Sequence, residues 1–238
     1  MRLVLILFLF VLFTLIGIST ISEKARGDYV VVLHGIARDS DYMRPLAQYL
    51  EGQGYDTINL DYPSTEFGLE ELARFMNGEL SDRLSQDKPV HFASHSMGGL
   101  LIRAYLNKYR PKNLGRVVQL APPNNGSEIA DLLKDNYFYQ QYYGPAGEQL
   151  ITEQAELNKI FGEVYYPLGI IAGNRTIDPL SSALIPDTDD GKVSIDSTKL
   201  KGMSDHIEIE ATHTFFPSNK QAQFQSGYFL QNGAFFRE

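Results

Sequence analysis

The chain has 238 residues, 43% of them hydrophobic and 21% charged, a globular composition that excludes a disordered tail and suffices for one α/β domain with a substantial core. A formal net charge of −8 without any long Lys/Arg run excludes the broad positive footprint of a nucleic-acid binder. The absence of cysteine excludes disulfides, thiolate zinc sites, a Cys nucleophile and a lipidated cysteine, and it leaves the redox compartment open.

After Met1-Arg2, the run from Leu3 to Ile21 is apolar apart from Thr14, Ser19 and Thr20. As a helix it spans roughly 28 Å, close to the hydrocarbon thickness of about 30 Å. Residues 1–22 are therefore set outside the fold, as a signal peptide or an N-terminal membrane anchor. The small-residue pairs Gly17/Ser19 and Thr20/Ser22 make a poor cleavage site, which leans towards a retained anchor. Lys24 and Arg26 are too few to fix its orientation.

The folded domain is expected over residues 28–238. Tyr29-Val30-Val31-Val32-Leu33 is a continuous β-branched run, as in a strand buried on both faces, and His34-Gly35-Ile36 ends it in a loop. Met43, Leu46, Ala47 and Leu50 recur at helical spacing, with Gly52 and Gly54 as stop signals. Tyr55 to Leu60 reads as a second strand, and Leu69, Leu72, Ala73, Met76, Leu80 and Leu84 as a second amphipathic helix. Val90 to Ala93 is a third strand. A helix follows Ser96 and ends before Pro111, and Val117 to Ala121 is a fourth strand, stopped by Pro122-Pro123. Tyr166 to Ala172 and Ile207 to Ala211 complete the set. This β-α alternation predicts the α/β class, with a parallel sheet covered by helices on both faces.

Residues 124–164 break the rhythm, being longer than an ordinary crossover and carrying Tyr137, Phe138, Tyr139, Tyr142 and Tyr143. These rings suit a lid or pocket wall facing an apolar substrate group, and they equally suit packing onto or around the core.

The stretch His91-Phe92-Ala93-Ser94-His95-Ser96-Met97-Gly98-Gly99 reads as strand, tight turn, helix. A serine on such a turn presents its hydroxyl above a parallel sheet, with small residues two before and two after it where the backbone bends. Gly98 fills the second small position and Ser94 replaces glycine in the first. A serine hydroxyl needs a base within hydrogen-bond reach and a third group to orient that base.

Two histidines lie far enough downstream to be the base. His206 begins an alternating strand, whereas His213 follows that strand at the carboxyl end of the sheet, where catalytic groups gather. The acid should follow the Tyr166 to Ala172 strand, and Asp178, Asp187, Asp189, Asp190 and Asp196 all qualify by position.

The pieces Val32-Leu33-His34-Gly35-Ile36, Asp61-Tyr62-Pro63-Ser64-Thr65, Ser94 to Gly99, Leu120-Ala121-Pro122-Pro123-Asn124, Ile171 to Arg175, Asp190-Gly191-Lys192-Val193-Ser194 and Thr212-His213-Thr214-Phe215 resemble the α/β-hydrolase superfamily. Within it the likeness is to the small bacterial lipase-like and esterase-like serine hydrolases grouped with lipase class 2 and the inositol deacylase-like lipases. The resemblance runs from about Tyr29 to the C-terminus. It implies an α/β-hydrolase fold with a minimal, mostly parallel sheet of about six strands, since the two leading antiparallel strands of the family have no room before Tyr29.

The resemblance further implies Ser96 as nucleophile, Asp190 as acid, His213 as base, and an oxyanion hole from the backbone N–H groups of Ile36 and Met97. His34 is expected to shape the oxyanion loop or to be structural, and His91 and His95 to be structural. No cofactor and no metal are expected. The implied partner is a small-molecule or lipid ester, cleaved by a carboxylic ester hydrolase that is membrane-anchored or exported, at a bacterial inner membrane or in a periplasm. A thioesterase, amidase or acyltransferase would use the same three residues. A membrane-tethered binding module without turnover is the alternative of another class.

Overall fold

A computed structural model describes residues 27–153, 155 and 157–237. The apolar run at 1–22 lies outside them, and among the described residues no helix is long and apolar enough to cross a membrane. Six strands, β1 (Tyr29–Leu33), β2 (Asp56–Leu60), β3 (Val90–His95), β4 (Leu114–Leu120), β5 (Leu168–Gly173) and β6 (Asp205–Ile209), form one sheet in the order β2-β1-β3-β4-β5-β6. Every pairing is parallel, so the fold is the expected α/β class.

The strand sequences explain their places in this order. In β3 and β5 every residue is buried, and in β1 all but Tyr29, whereas β2 and β6 expose more of their length. Buried strands thus occupy the middle of the sheet, β1 and β5 as unbroken apolar runs, and the partly exposed β2 and β6 form its edges. Alternation along β1 sends Val30 and Val32 to one face and Val31 and Leu33 to the other.

Helix α1 (Ser40–Gly52) covers the first face with Met43, Leu46, Ala47 and Leu50, joined by the C-terminal helix Lys220–Asn232 through Phe229 and Leu230. Helices α2 (Leu69–Ser81) and α3 (Met97–Tyr109) cover the second with Leu72, Met76, Leu100, Leu101 and Tyr105. Truncating a wholly buried ring such as Phe92 costs about 3–5 kcal/mol in sites of this kind.

Several boundaries differ from the sequence reading: β3 runs on to His95, β4 begins at Leu114 and not at Val117, and β5 begins at Leu168 and not at Tyr166. β6 starts at Asp205 and not at Ile207, because Asp205 and His206 pair with Gly169 and Ile170, while the Ala211 N–H turns back to the Ile209 carbonyl at 2.8 Å. Helix α2 stops at Ser81, yet the N–H of Leu84 still reaches the Leu80 carbonyl at 3.1 Å, so the last apolar side chain of the series packs on the core without helix around it.

Residues 124–164 contain three helices, α4 (Glu128–Leu133), α5 (Tyr137–Glu148) and α6 (Leu157–Phe161). Helix α5 kinks at Gly144, whose φ of 62° is open to glycine and where a Cβ would stand 1.8 Å from the Thr65 carbonyl oxygen. The aromatic residues divide: Tyr139 is buried and donates its hydroxyl to the Gly147 carbonyl at 3.1 Å, whereas Tyr137, Phe138 and Tyr142 are 64%, 79% and 61% exposed.

Candidate active site

The chain makes β1, crosses to β2 on one side, then returns past β1 to lay β3 on the other. The carboxyl ends of β1 and β3 are therefore the switch point of the sheet, where loops diverge and leave a crevice. Leu33 pairs with Ser94, so the loop at Gly35-Ile36 and the turn at Ser96 stand side by side. A Cβ on Gly35 would come within 3.2 Å of both Ser96 Cβ and His95 Nδ1.

Ser96 has φ 53° and ψ −128°, a region that side-chain-bearing residues seldom occupy and that costs about 1–3 kcal/mol. Its N–H is fixed to the Leu120 carbonyl at 2.9 Å, and α3 begins at the next residue. A Cβ on Gly98 would lie 2.5 Å from the His34 carbonyl oxygen and 3.0 Å from that of Leu33, so the helix start packs on β1 only because that position is glycine. Ser94 tolerates the first small position, wholly buried, with its hydroxyl lacking a partner.

The structure brings three predicted residues into one relay. Ser96 Oγ is 3.0 Å from His213 Nε2, and His213 Nδ1 is 2.7 Å from Asp190 Oδ2. A carboxylate at Nδ1 holds the proton there, so Nε2 is free to accept from the serine hydroxyl. The other carboxylate oxygen of Asp190 accepts the N–H groups of Lys192 at 3.0 Å and Val193 at 2.9 Å, and its carbonyl accepts the His213 N–H at 2.9 Å. Asp190 and Ser96 are 2% and 8% exposed, so the three side chains meet largely away from water.

The competing candidates have other partners. Asp178 pairs with Lys192 at 2.9 Å, Asp196 pairs with Lys199 at 2.6 Å, Asp189 accepts from the Ser182 hydroxyl and the Gly191 N–H, and Asp187 is exposed on the surface. His206 Nε2 is 3.0 Å from Thr198 Oγ1, on the far edge strand. Ile36 lines the crevice beside Gly35 and Ser96, and Met97 opens α3, where helix N–H groups have no partner within the helix.

His34, His91 and His95 are all buried. His34 Nδ1 donates to the Gly35 carbonyl at 2.8 Å and its Nε2 accepts the Tyr62 N–H at 3.3 Å, with the Tyr62 ring stacked at 4.0 Å. It therefore shapes the loop that carries Ile36. His91 Nδ1 accepts the Arg116 N–H at 2.9 Å at the opposite end of the sheet. His91 and His95 have a four-residue spacing that on a helix would suit a metal, but on a strand it sets them roughly 13 Å apart.

His95 donates Nε2–H to the His213 carbonyl at 3.0 Å, and burial pushes its pKa well below the usual histidine value. Tyr42, which nothing in the sequence flagged, donates its hydroxyl to the Thr214 carbonyl at 2.9 Å. It is placed there because Asp39 caps α1 through the Tyr42 N–H at 3.2 Å.

Beside Ser96 and His213 opens a crevice of about 150 Å³, walled by Ile36, Ile129, Ala130, Tyr139, Tyr143, Leu150 and Val193. A nucleophile, its base, a carboxylate and an apolar wall are the parts that attack on a carbonyl requires.

A family model described as alpha/beta hydrolase fold matches residues 28–152. Among solved structures, a lipase of Bacillus licheniformis in its mature form superposes with a TM-score of 0.66 at 18% identity, over 89% of this chain and 93% of the lipase. A metagenomic carboxyl esterase gives 0.64 at 18%, over 83% of this chain and 66% of the esterase. A phospholipase of Legionella pneumophila gives 0.58 at 18%, over 74% of this chain and 45% of that protein. At these identities the likeness is one of fold. A search of curated protein sequences finds no match.

Proposed function

This chain belongs to the alpha/beta hydrolase family, and from that premise we propose that it is a serine hydrolase cleaving carboxylic esters through an acyl-enzyme on Ser96. The observation that carries the reading is the unbroken relay Ser96 Oγ, His213, Asp190 at 3.0 and 2.7 Å. His213 Nε2 takes the serine proton as Oγ attacks the carbonyl, and Asp190 stabilises the imidazolium that forms. The backbone N–H groups of Ile36 and Met97 hold the oxyanion, a contribution of roughly 10² to 10³ in rate per donor in related chemistry. His213 then gives its proton to the leaving alcohol, and in the second half takes one from the water that releases the acid.

The acyl group lies against the apolar wall. A crevice of about 150 Å³ matches in size an apolar cavity that accommodates benzene, which favours a small acyl chain over a long one. In this reading residues 1–22 deliver or anchor the domain at a membrane, and the helices of residues 124–164 form the wall of the acyl site.

Initial rates on p-nitrophenyl esters of rising chain length, beside a thioester and an anilide of the same acyl group, test the reading. The expectation is a preference for short esters and a loss of about 10⁵ to 10⁶ in kcat for Ser96→Ala. Ester turnover by Ser96→Ala at the parent rate would refute it. A thioester or anilide turned over faster than the matched ester would keep the nucleophile and change the leaving group.

A further inference from the structure

The crevice beside Ser96 is lined by two cationic side chains, Arg38 and Lys192, and by no Asp or Glu. In a chain with 29 acidic and 21 basic residues, that bias does not follow from composition. The two cations differ in their partners. Lys192 Nζ is already held by Asp178 Oδ2 at 2.9 Å and by Ser181 Oγ at 3.2 Å, so its charge is locally neutralised. Arg38 forms no ion pair among the described residues. Its acidic neighbour Asp39 turns away to cap α1.

Arg38 is nevertheless on a braced segment. Ala37, in the left-handed region at φ 52°, donates its N–H to Ser64 Oγ at 3.1 Å. The guanidinium of Arg38 lies 5.3 Å from the centre of the Tyr42 ring, and Tyr42 is tied to the carbonyl of Thr214 at 2.9 Å. A cationic fork is thus stationed two residues beyond Ile36, on the same loop as that oxyanion-hole residue and without a carboxylate of its own. Guanidinium pairs in a fixed fork geometry with the planar or tripod oxygens of carboxylate and phosphate.

We propose that Arg38 determines specificity for esters whose leaving alcohol carries a negative charge, a carboxylate or a phosphate, close to the scissile bond. This rests on the serine-hydrolase reading above. The apolar wall of Ile129, Ala130, Tyr139, Tyr143 and Leu150 takes the acyl half, which leaves the charge to the alcohol half. Arg38 then touches the substrate in the Michaelis complex and orients the ester carbonyl towards the Ile36 amide.

The test compares kcat/KM on three butyrate esters of one size class: phenyl butyrate, 4-butyryloxybenzoate and 4-butyryloxyphenyl phosphate. Each variant is referred to the parent on the same ester, which cancels intrinsic reactivity. Arg38→Ala and the more conservative Arg38→Gln are expected to lose about fivefold more on one or both anionic esters than on phenyl butyrate at low salt. That gap should narrow as ionic strength rises towards 0.5 M, and Lys112→Ala, an exposed cation away from the crevice, should show no such gap. The anionic ester that shows the larger gap identifies which oxyanion the fork prefers. Equal losses on all three esters, with the parent hydrolysing them all, would overturn the role of Arg38 and leave the hydrolase reading standing. If the parent cleaved none of the three, and no other ester of the chain-length series, the hydrolase reading itself would fall.

Discussion

Asp190 serves the site with both of its oxygens, one on His213 Nδ1 and the other on the N–H groups of Lys192 and Val193. Asp190→Asn retains the backbone acceptor but offers His213 a different pattern of protons, which favours the wrong imidazole tautomer. The expectation is a fall in kcat of about 10³ to 10⁴ with a melting temperature close to that of the parent; a fall below tenfold would remove the tautomer argument. The two elbow serines should behave in opposite ways. Ser94 buries a hydroxyl without a partner, so Ser94→Ala should keep activity and raise stability by up to about 1 kcal/mol in a denaturant titration. A clear loss of stability would show that the hydroxyl is bonded. At this scale chain order and placement at strand ends pointed to Ser96 and His213, which the structure sets 3.0 Å apart. It could not separate Asp190 from four nearby aspartates without the family resemblance, because which carboxylate turns towards His213 depends on the loop conformation. Tyr42 and Arg38 were not legible, since their contacts come from parts of the chain far from the motifs.

At the scale of elements, the elbow depends on how closely α3 approaches β1. Gly98→Ala would put a methyl 2.5 Å from the His34 carbonyl oxygen, a backbone atom that cannot step aside without moving the loop of Ile36. We expect Gly98→Ala to lose both stability, by about 1–3 kcal/mol as in other overpacked sites, and at least tenfold in kcat. Unchanged values for both, read by thermal melting and ester turnover, would mean that α3 can shift outward freely. β1 was legible because its continuous β-branched run has one comfortable place, the middle of a parallel sheet. The start of β6 was less so: Asp205 and His206 are polar residues that pair at an edge, where burial does not mark the sequence. The segment 124–164 gave its aromatic content but not its division into buried and exposed rings, which depends on which face of α5 meets the core: Tyr139 and Tyr143, four apart, turn inward, and Phe138 and Tyr142 turn outward.

For the whole molecule, the buried histidines link stability to pH. Burial lowers the pKa of His34, His91 and His95, and of the half-buried His206, below the ordinary value of 6.5. The folded protein thus keeps these rings neutral, while the unfolded chain takes up protons below about pH 6.5. Stability is therefore complete above that value and is lost as pH falls through it towards the folded pKa values. Melting temperature should be flat from pH 7 to 8 and decline between about pH 6.5 and 5. That window lies above the carboxylate range, because ion pairs with Lys192, Lys199 and Arg237 lower Asp178, Asp196 and Asp205 from an ordinary value of 3.8. His95→Gln should shrink the decline, and an identical profile for that variant would contradict the assignment.

The whole sheet also explains why one serine is singled out: β1 and β3 meet at the switch point, so the loop of Ile36 and the turn at Ser96 share one crevice with the loops that follow β5 and β6. The most direct measurement of that account is covalent labelling with a fluorophosphonate, followed by mass mapping of the modified peptide. One adduct is expected, on Ser96, absent in Ser96→Ala and strongly slowed in His213→Ala. Labelling of Ser96→Ala at the parent rate, or an adduct on another residue, would contradict it.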